Sequence, residues 1–274
     1  MTDLFDINGK VVVVTGAGGV LCGEIATELG RRGALIALLD VDKSKADQVA
    51  AKIKQDGGEA YAVQADVLDK ESLTKAKDTV INCYGRVDVL INGAGGNKKE
   101  ATADPETLPF FDLPADAIQW VFNLNILGTI YTSQVFGKLM ADQQAGTIIN
   151  VSSMNSYRPL TKIAAYSAAK ASVNNFTQWL AVHMNQNYST EIKVNAIAPG
   201  FFLTEQNRFL LLDENSGEPT ARGQQIVDHT PMGRYGKPED LMGAVIWLVS
   251  DASAFVTGII VPVDQHGAHA FVKI

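Results

Sequence analysis

Cysteine is scarce in this chain of 274 residues, and what the sequence lacks excludes several classes of protein. Cys22 and Cys83 form no CxxC pair, so neither a disulfide framework nor a thiol redox motif is indicated. Scarce cysteine is typical of a reducing compartment, and we expect a cytoplasmic protein. The N-terminal stretch lacks the charged-then-apolar pattern of a signal peptide. No apolar run reaches the roughly 18 residues of a membrane-spanning helix, so we expect no membrane partner.

Basic residues are outnumbered, with 23 Lys and Arg against 30 Asp and Glu and a net charge of -7. Nucleic-acid binding requires clustered positive charge, so we expect no nucleic-acid partner. Histidine is also rare, and His266 and His269 have no apparent third ligand near them, so we predict no metal site. Apolar residues make up 46% of the chain, which is enough for one large core.

Apolar runs alternate with amphipathic stretches along the whole chain, and this predicts one α/β domain. We expect a Rossmann-type, doubly wound parallel sheet of about seven strands with helices on both faces. The polar, mixed segment 201–230 is predicted to be a small substrate lid on this domain, which spans residues 1–274. The predicted strands are 10–14, 34–39, 59–64, 87–91, 146–151, 191–197 and 259–263. The predicted helices are 20–32, 42–56, 69–84, 115–140, 163–185 and 238–250.

A glycine-rich turn follows the first predicted strand and opens a helix. Gly16, Gly18 and Gly19 would let backbone N–H groups approach a pyrophosphate, although the same glycines also suit an ordinary tight turn. Asp40 ends the second strand, where a carboxylate can bind a ribose 2′-hydroxyl and repel a 2′-phosphate. The alternative for Asp40 is a helix cap. Together the turn and Asp40 predict NAD as the cofactor, in preference to NADP.

Tyr166 and Lys170 lie four residues apart on a predicted helix and therefore share one face. A nearby ammonium lowers the pKa of a phenol, which would fit Tyr166 for acid–base catalysis. An ordinary surface pair is the alternative. Ser153, which follows the fifth predicted strand, precedes this pair and favours the catalytic interpretation.

Taken together, these motifs resemble the short-chain dehydrogenase/reductase family over essentially the whole chain. Thr15–Gly19 resembles the family's T-G-x-x-x-G-x-G loop, 92–95 its N-N-A-G motif, and 199–204 its P-G-x-x-x-T segment. The resemblance implies a carbonyl or alcohol oxidoreductase that uses NAD and assembles as a homotetramer. It implies four catalytic residues, Asn125, Ser153, Tyr166 and Lys170. It implies cofactor contacts from Gly16, Gly18, Gly19, Val20, Leu21, Asp40, Asp66, Val67, Asn92, Ala94, Gly95, Tyr166, Lys170, Pro199, Gly200, Phe202 and Thr204.

The resemblance also implies a role for each catalytic residue. Tyr166 exchanges a proton with the substrate oxygen, and Ser153 hydrogen-bonds the same oxygen. Lys170 lowers the pKa of Tyr166 and holds the nicotinamide ribose. Asn125 anchors a water molecule, and Asn123 is its rival for that role because it lies two residues earlier.

Two glycines of the family loop are replaced here by Val20 and Cys22. The Val20 side chain could crowd the pyrophosphate, in which case Gly18 and Gly19 would provide the close approach. Two interpretations stay open for Cys22: a thiol with a lowered pKa at a helix N-terminus, or a small residue that fills a gap. The stretch after Asp264 departs from the D-G-G ending of the family.

Stretches 18–22, 153–155, 158–162 and 201–208 resemble one branch of this family, the D-mannonate oxidoreductases or fructuronate reductases. That branch implies interconversion of D-fructuronate and D-mannonate in hexuronate catabolism. Other sugar-acid or polyol dehydrogenases, such as gluconate 5-dehydrogenase, remain alternatives, as does an NAD-binding regulator without catalysis.

A sugar acid needs a cation for its carboxylate and polar groups for its hydroxyls. We expect these from Asn97, Asn155, Arg158 and Arg208, with the two arginines favoured for the carboxylate. Lys98 and Lys99 also follow the fourth strand, but the ordinary interpretation of a lysine there is a solvated surface charge.

Overall fold

Seven parallel strands form one continuous sheet in the order β3-β2-β1-β4-β5-β6-β7. The computed structural model describes residues 3–159, 162–203, 211–213, 216–228 and 230–264. The predicted doubly wound sheet is confirmed, and each strand lies within two residues of its predicted bounds. The strands are β1 Val11–Thr15, β2 Leu35–Asp40, β3 Glu59–Gln64, β4 Val89–Asn92, β5 Gly146–Val151, β6 Ile192–Pro199 and β7 Ile260–Val263.

Continuous apolar runs form the central strands because helices cover both faces of the sheet. All five residues of β1 and all four of β4 are buried. The α-helices are α1 Val20–Arg31, α2 Lys43–Gln55, α3 Lys70–Tyr84, α4 Ala115–Phe122, α5 Gly128–Gln143, α6 Ala164–Asn187, α7 Ala221–Asp228 and α8 Met242–Val249. One face of the sheet packs mainly against α1, α2 and α8, and the other against α3, α5 and α6.

Several helix ends follow directly from the local sequence. The side chains of Asp42 and Asp69 cap α2 and α3 by accepting hydrogen bonds from the backbone N–H groups of Ser44 and Glu71. Gly85 ends α3 in the left-handed conformation, with φ of 77°. No α-helix in the described ranges is both long enough and apolar enough to cross a membrane.

The helix predicted at 115–140 is interrupted. A π-helical stretch, Asn123–Leu127, separates α4 from α5, and the N–H of Gly128 donates to the carbonyl of Asn123. Such stretches are frequent at functional sites because the widened turn redirects side chains. A small apolar cluster beside this stretch packs α4 against the N-terminus of α6.

Strand order reverses direction between β1 and β4, which are neighbours in the sheet. In open α/β sheets ligands bind beyond the carboxyl ends of the strands at such a switch point. The glycine-rich turn after β1 and the loop after β4 lie there, and a ligand site is therefore expected at this edge of the sheet.

Candidate active site

A cleft of about 690 Å³ opens beyond the carboxyl ends of the strands. Most of the residues predicted from the sequence to contact cofactor or substrate oxygen line this cleft. They are Gly16, Gly18, Gly19, Val20, Leu21, Asp40, Asp66, Val67, Ala94, Gly95, Ser153, Tyr166, Lys170, Pro199, Gly200 and Phe202. Thr204 and Arg208 lie outside the described residues.

The glycine-rich turn fits a pyrophosphate. Gly16 has φ of 64°, and a Cβ on it would lie 2.8 Å from the Cα of Ala94, so a larger residue would push the two loops apart. Gly19 is the N-cap of α1 and gives the helix no side-chain cap. The first N–H groups of this 12-residue helix are therefore available to an anion.

Asp40 faces the same cleft from the end of β2. One carboxylate oxygen accepts a hydrogen bond from the N–H of Gly18 at 2.8 Å, and the other accepts one from the N–H of Asp42 at 2.9 Å. These bonds hold the carboxylate beside the glycine-rich turn, where it can meet a ribose hydroxyl. Asp66 and Val67 line the neighbouring part of the cleft, next to β3.

Thr15, which sequence reasoning treated only as part of a motif, joins the two loops. Its Oγ1 accepts hydrogen bonds from the N–H groups of Gly93 and Ala94 at 3.1 and 3.2 Å. The loop after β4 is thereby fixed to the loop after β1. The sequence signal available for this role was a threonine that directly follows the apolar run 11–14.

Cys22 is buried against Gly93, and the two residues are complementary in shape. A Cβ on Gly93 would overlap the Cys22 sulfur. Burial raises the pKa of the Cys22 thiol to about 12, and the charge of Lys170 opposes that rise only in part. Of the two interpretations left open for Cys22, the structure favours the residue that fills a gap.

Three of the four predicted catalytic residues line the cleft, and the fourth lies beneath it. Asn125 is 0% exposed. Its Nδ2 donates to the carbonyls of Gly96 and Val121 at 2.7 and 2.8 Å, and its Oδ1 accepts from the N–H of Gly96 at 3.1 Å. Asn125 thus ties the π-helical stretch to the loop after β4. Asn123, its rival, is only half-buried.

Tyr166 and Lys170 share one face of α6, as their spacing predicts. The Lys170 ammonium lies 5.6 Å from the centre of the Tyr166 ring and donates to the carbonyl of Val151 at 2.7 Å. The lysine is buried, and burial lowers the pKa of its ammonium to about 8. Lys170 therefore stays mostly charged near neutral pH but loses its proton at a lower pH than an exposed lysine does.

The pKa of Tyr166 differs in direction from the sequence-based expectation. Burial raises the pKa of the phenol, and a hydrogen bond from the Ser153 side chain opposes that rise. Lys170 does not reverse the effect of burial, because its ammonium is directed to Val151. The phenol is therefore protonated at neutral pH and suited to donate a proton.

A network missed by sequence reasoning holds Ser153. Ser156 Oγ donates to the Ser153 carbonyl, and Asn174 Nδ2 donates to Ser156 Oγ at 2.8 Å. Asn174 also accepts a hydrogen bond from Ser152. The backbone N–H of Asn155 donates to Ser153 Oγ at 3.2 Å. Asn174 thus links α6 to the segment after β5, which a distant sequence position does not reveal.

Several residues predicted to contact ligand do not line the cleft. Asn92 is buried and donates to Asn150 at 2.9 Å, so it supports the sheet below the site. Asn97 donates to Thr102 Oγ1 at 2.9 Å and stabilises its own loop. Asn155 and Arg158 are half-buried beside the short turn Met154–Ser156, outside the cleft wall.

Two residues that the sequence did not single out, Trp120 and Leu124, do line the cleft. Trp120 lies in α4, and Leu124 lies in the π-helical stretch that carries Asn125. Trp120 is 39% exposed.

Comparison with known proteins gives consistent matches over nearly the full chain. Residues 10–215 match the family model described as short chain dehydrogenase. An uncharacterized oxidoreductase, UxuB, from Bacillus subtilis is 49% identical over 267 residues, covering 94% of this chain and 95% of that protein. A 5-keto-D-gluconate 5-reductase from Escherichia coli is 32% identical over 264 residues, covering 96% and 97%.

Among solved structures, a protein from Haemophilus influenzae proposed to be a D-mannonate oxidoreductase, with bound NAD, superposes with a TM-score of 0.87. It is 46% identical, and the match covers 95% of each chain.

Proposed function

This chain belongs to the short-chain dehydrogenase family and is an NAD-dependent oxidoreductase, and we propose that it interconverts D-fructuronate and D-mannonate. The observation that carries the proposal is the 46% identity, over 95% of both chains, to the NAD-bound protein proposed to be a D-mannonate oxidoreductase. Of the four stretches that resemble this branch of the family, 18–22 lines the cleft throughout, and 153–155 contributes Ser153 to it.

NAD, when bound, supplies or accepts the hydride, and the chain positions the reacting groups. The first turn of α1 would hold the pyrophosphate, and Asp40 the adenosine ribose. Lys170 would bind the nicotinamide ribose from the floor of the cleft.

Tyr166 is the proposed general acid and base. In the direction of reduction its protonated phenol donates a proton to the oxygen of the substrate carbonyl, and in oxidation the phenolate takes the proton back. Ser153 hydrogen-bonds Tyr166 in the structure, and it would redirect its single hydroxyl proton to the substrate oxygen, so that Ser153 and Tyr166 both bind that oxygen. Asn125 acts through the loop after β4, because it holds Gly96 from below.

Reduction of 5-keto-D-gluconate is the second candidate function. It is supported by the Escherichia coli relative, which is 32% identical over nearly the whole of both chains. Both candidate substrates are six-carbon keto acids, so the fold and the Tyr166 chemistry serve either one. What separates them is the shape of the cleft around the sugar hydroxyls.

The test is NADH oxidation by the purified protein with D-fructuronate, run beside 5-keto-D-gluconate and with NADPH as control cofactor. We expect turnover of fructuronate with NADH, at least about tenfold above the other combinations in kcat/KM, with D-mannonate as product. Turnover of 5-keto-D-gluconate alone would establish the second candidate. Turnover of neither keto acid would refute both.

Three further features belong to this proposal. A homotetramer is supported by the outward face of α6, where Trp179 and Val182 are 55% and 56% exposed. Cytoplasmic localisation is supported by the free thiols of Cys22 and Cys83. A substrate lid within 201–230 is supported by Phe201 and Phe202, which begin that segment and line the cleft.

A further inference from the structure

We propose that Lys98 binds the carboxylate of the substrate at the rim of the cleft, with Trp120 as the surface that positions its ammonium. This inference rests on the proposed function in one respect, namely that the substrate is a keto acid. Lys98, like Arg158, is not itself part of the cleft wall, but its ammonium contacts the ring of Trp120, which is, and on this ground it replaces Arg158 as the favoured carboxylate ligand among the described residues.

The loop that carries Lys98 is anchored in a small apolar cluster that Tyr166 also contacts. Ala101 is 0% exposed and belongs to a small apolar cluster with Ala117, Val121 and Ala165. Tyr166 packs against the same cluster. Three residues after Lys98, the loop therefore packs against the same cluster as the catalytic tyrosine.

Hydrogen bonds hold this loop in place on both sides of Lys98. Thr102 Oγ1 donates to the Lys98 carbonyl at 3.1 Å, and Asn97 Nδ2 donates to Thr102 Oγ1. Lys162, just before α6, forms an ion pair with Asp104 at 2.7 Å, and its carbonyl accepts from the N–H of Ala103. The loop is thus held against the start of the helix that bears Tyr166.

The Lys98 ammonium lies 5.4 Å from the centre of the Trp120 ring, a cation–π distance. Trp120 itself lines the cleft, so the Lys98 ammonium lies next to a residue of the cleft wall. Leu124, four residues later, lines the cleft as well.

Lys98 and Lys99 both lack a carboxylate partner among the described residues, but only for Lys98 is there a contact between the ammonium and a ring of the cleft wall. No carboxylate among the described residues forms an ion pair with Lys98, whereas Lys162 is neutralised by Asp104. Lys170 is buried and donates to Val151, and Lys45 lies at the other end of the cleft beside Asp42. Because the protein carries a net charge of -7, a local cation at the rim would offset the general repulsion of an acid.

Lys98 is expected to select the class of substrate, a keto acid, rather than one member of that class. A keto acid gains a charge-assisted interaction with Lys98 that a neutral ketose or polyol does not. The contact does not distinguish D-fructuronate from 5-keto-D-gluconate, because both carry the carboxylate. The contact would instead favour keto acids over neutral ketoses and polyols.

The test compares Lys98→Met, which removes the charge and keeps a long apolar stem over Trp120, with Lys98→Arg, which keeps the charge. Lys99→Met is the matched control, since the same change falls one residue later on an exposed side chain. We measure KM and kcat for D-fructuronate and for the neutral ketose D-fructose, and the Kd of NADH by fluorescence titration.

We expect Lys98→Met to raise the KM for D-fructuronate about 10- to 100-fold, the range for loss of a hydrogen bond to a charged group. Lys98→Arg and Lys99→Met are expected to stay within about threefold of wild type. The Kd of NADH and the kinetics with fructose are expected to be unchanged in all variants. Added salt is expected to raise the fructuronate KM of wild type more than that of Lys98→Met, because salt screens charge attraction.

The results that would overturn the role of Lys98 differ from those that would overturn the proposed function. An unchanged fructuronate KM in Lys98→Met, in an enzyme that turns fructuronate over, would overturn the role of Lys98 and leave the proposed function intact. If wild type does not reduce fructuronate, the same ratio is measured with whichever keto acid it does reduce. Activity on neutral ketones alone would overturn both.

Discussion

Cys22 and Gly93 explain, at the scale of single residues, why this chain tolerates departures from the family loop. Cys22 stands where the family has a glycine, and Gly93 stands where the N-N-A-G motif has its second asparagine. The sulfur occupies the space that a side chain at position 93 would need. The two substitutions compensate each other, and together they keep the loops after β1 and β4 in contact.

Because Cys22 and Gly93 pack against each other, the free energy of unfolding lost by enlarging Gly93 is expected to depend on Cys22. Gly93→Ala is expected to lower the free energy of unfolding by about 1–3 kcal/mol, because the new Cβ overpacks a buried site. In a Cys22→Gly background the same change is expected to cost less, because only the contact with the Thr15 carbonyl oxygen at 2.8 Å then remains. Urea denaturation of the four proteins measures this coupling. Equal costs in both backgrounds would show that the pair does not interact.

Asp40 is expected to set cofactor preference through its charge. Asp40→Asn keeps an acceptor for the N–H of Gly18 but removes the charge that repels a 2′-phosphate. We expect the kcat/KM ratio of NADPH to NADH to rise at least about tenfold, equivalent to ~1.4 kcal/mol. Asp42→Asn, on the neighbouring cap residue, is the control. A ratio unchanged in Asp40→Asn would remove this carboxylate from cofactor discrimination.

At the scale of elements, the π-helical stretch between α4 and α5 aims Asn125 at the loop after β4. Three hydrogen bonds to Gly96 and Val121 satisfy its buried amide. Asn125→Ala leaves the Gly96 backbone without these partners, and we expect a loss of about 1–3 kcal/mol in the free energy of unfolding together with a fall in kcat. Asn123→Ala, two residues earlier, is expected to change either quantity little.

Urea denaturation and steady-state kinetics of these two variants separate the two asparagines. A larger loss of kcat from Asn123→Ala than from Asn125→Ala would reverse the assignment.

Strands and helix caps were predictable because their signals are local. β1 and β4 are short apolar runs, and Asp42 and Asp69 cap helices within two residues of themselves. The interruption at Asn123–Leu127 was not predictable, since α4 and α5 continue one apolar pattern across it. It arises from tertiary contacts, above all the bonds of Asn125 to a loop that lies far away in the sequence.

The candidate site shows the same contrast between features set by local sequence and features set by tertiary contacts. The glycine-rich turn, Asp40 and the Tyr166–Lys170 pair could be placed from spacing within regular elements. Asn97 and Arg158 could not, because side-chain direction in irregular segments depends on packing. The raised pKa of Tyr166 was also out of reach, since burial is a property of the folded state.

At the scale of the whole molecule, the outward face of α6 carries aromatic groups that the single chain does not cover. Trp179 stacks on Phe176 and on His183, with 6.2 and 4.7 Å between ring centres, yet remains 55% exposed. We expect this face to be buried between subunits. Trp179→Glu is therefore expected to lower the assembly state measured by light scattering, while an exposed change elsewhere, Lys75→Glu, leaves it unchanged. An unaltered assembly in Trp179→Glu would exclude this face as an interface.

The sheet as a whole brings residues from β1, β2, β4, β5 and α6 to one cleft, and we expect Tyr166 to transfer the proton there. The most direct measurement compares wild type with Tyr166→Phe for fructuronate reduction and for NADH binding in the same buffer. We expect kcat to fall about 10²- to 10⁴-fold, the usual contribution of a general acid, with the Kd of NADH within about twofold of wild type. Turnover retained within tenfold of wild type would contradict the account, because the proton would then come from another group.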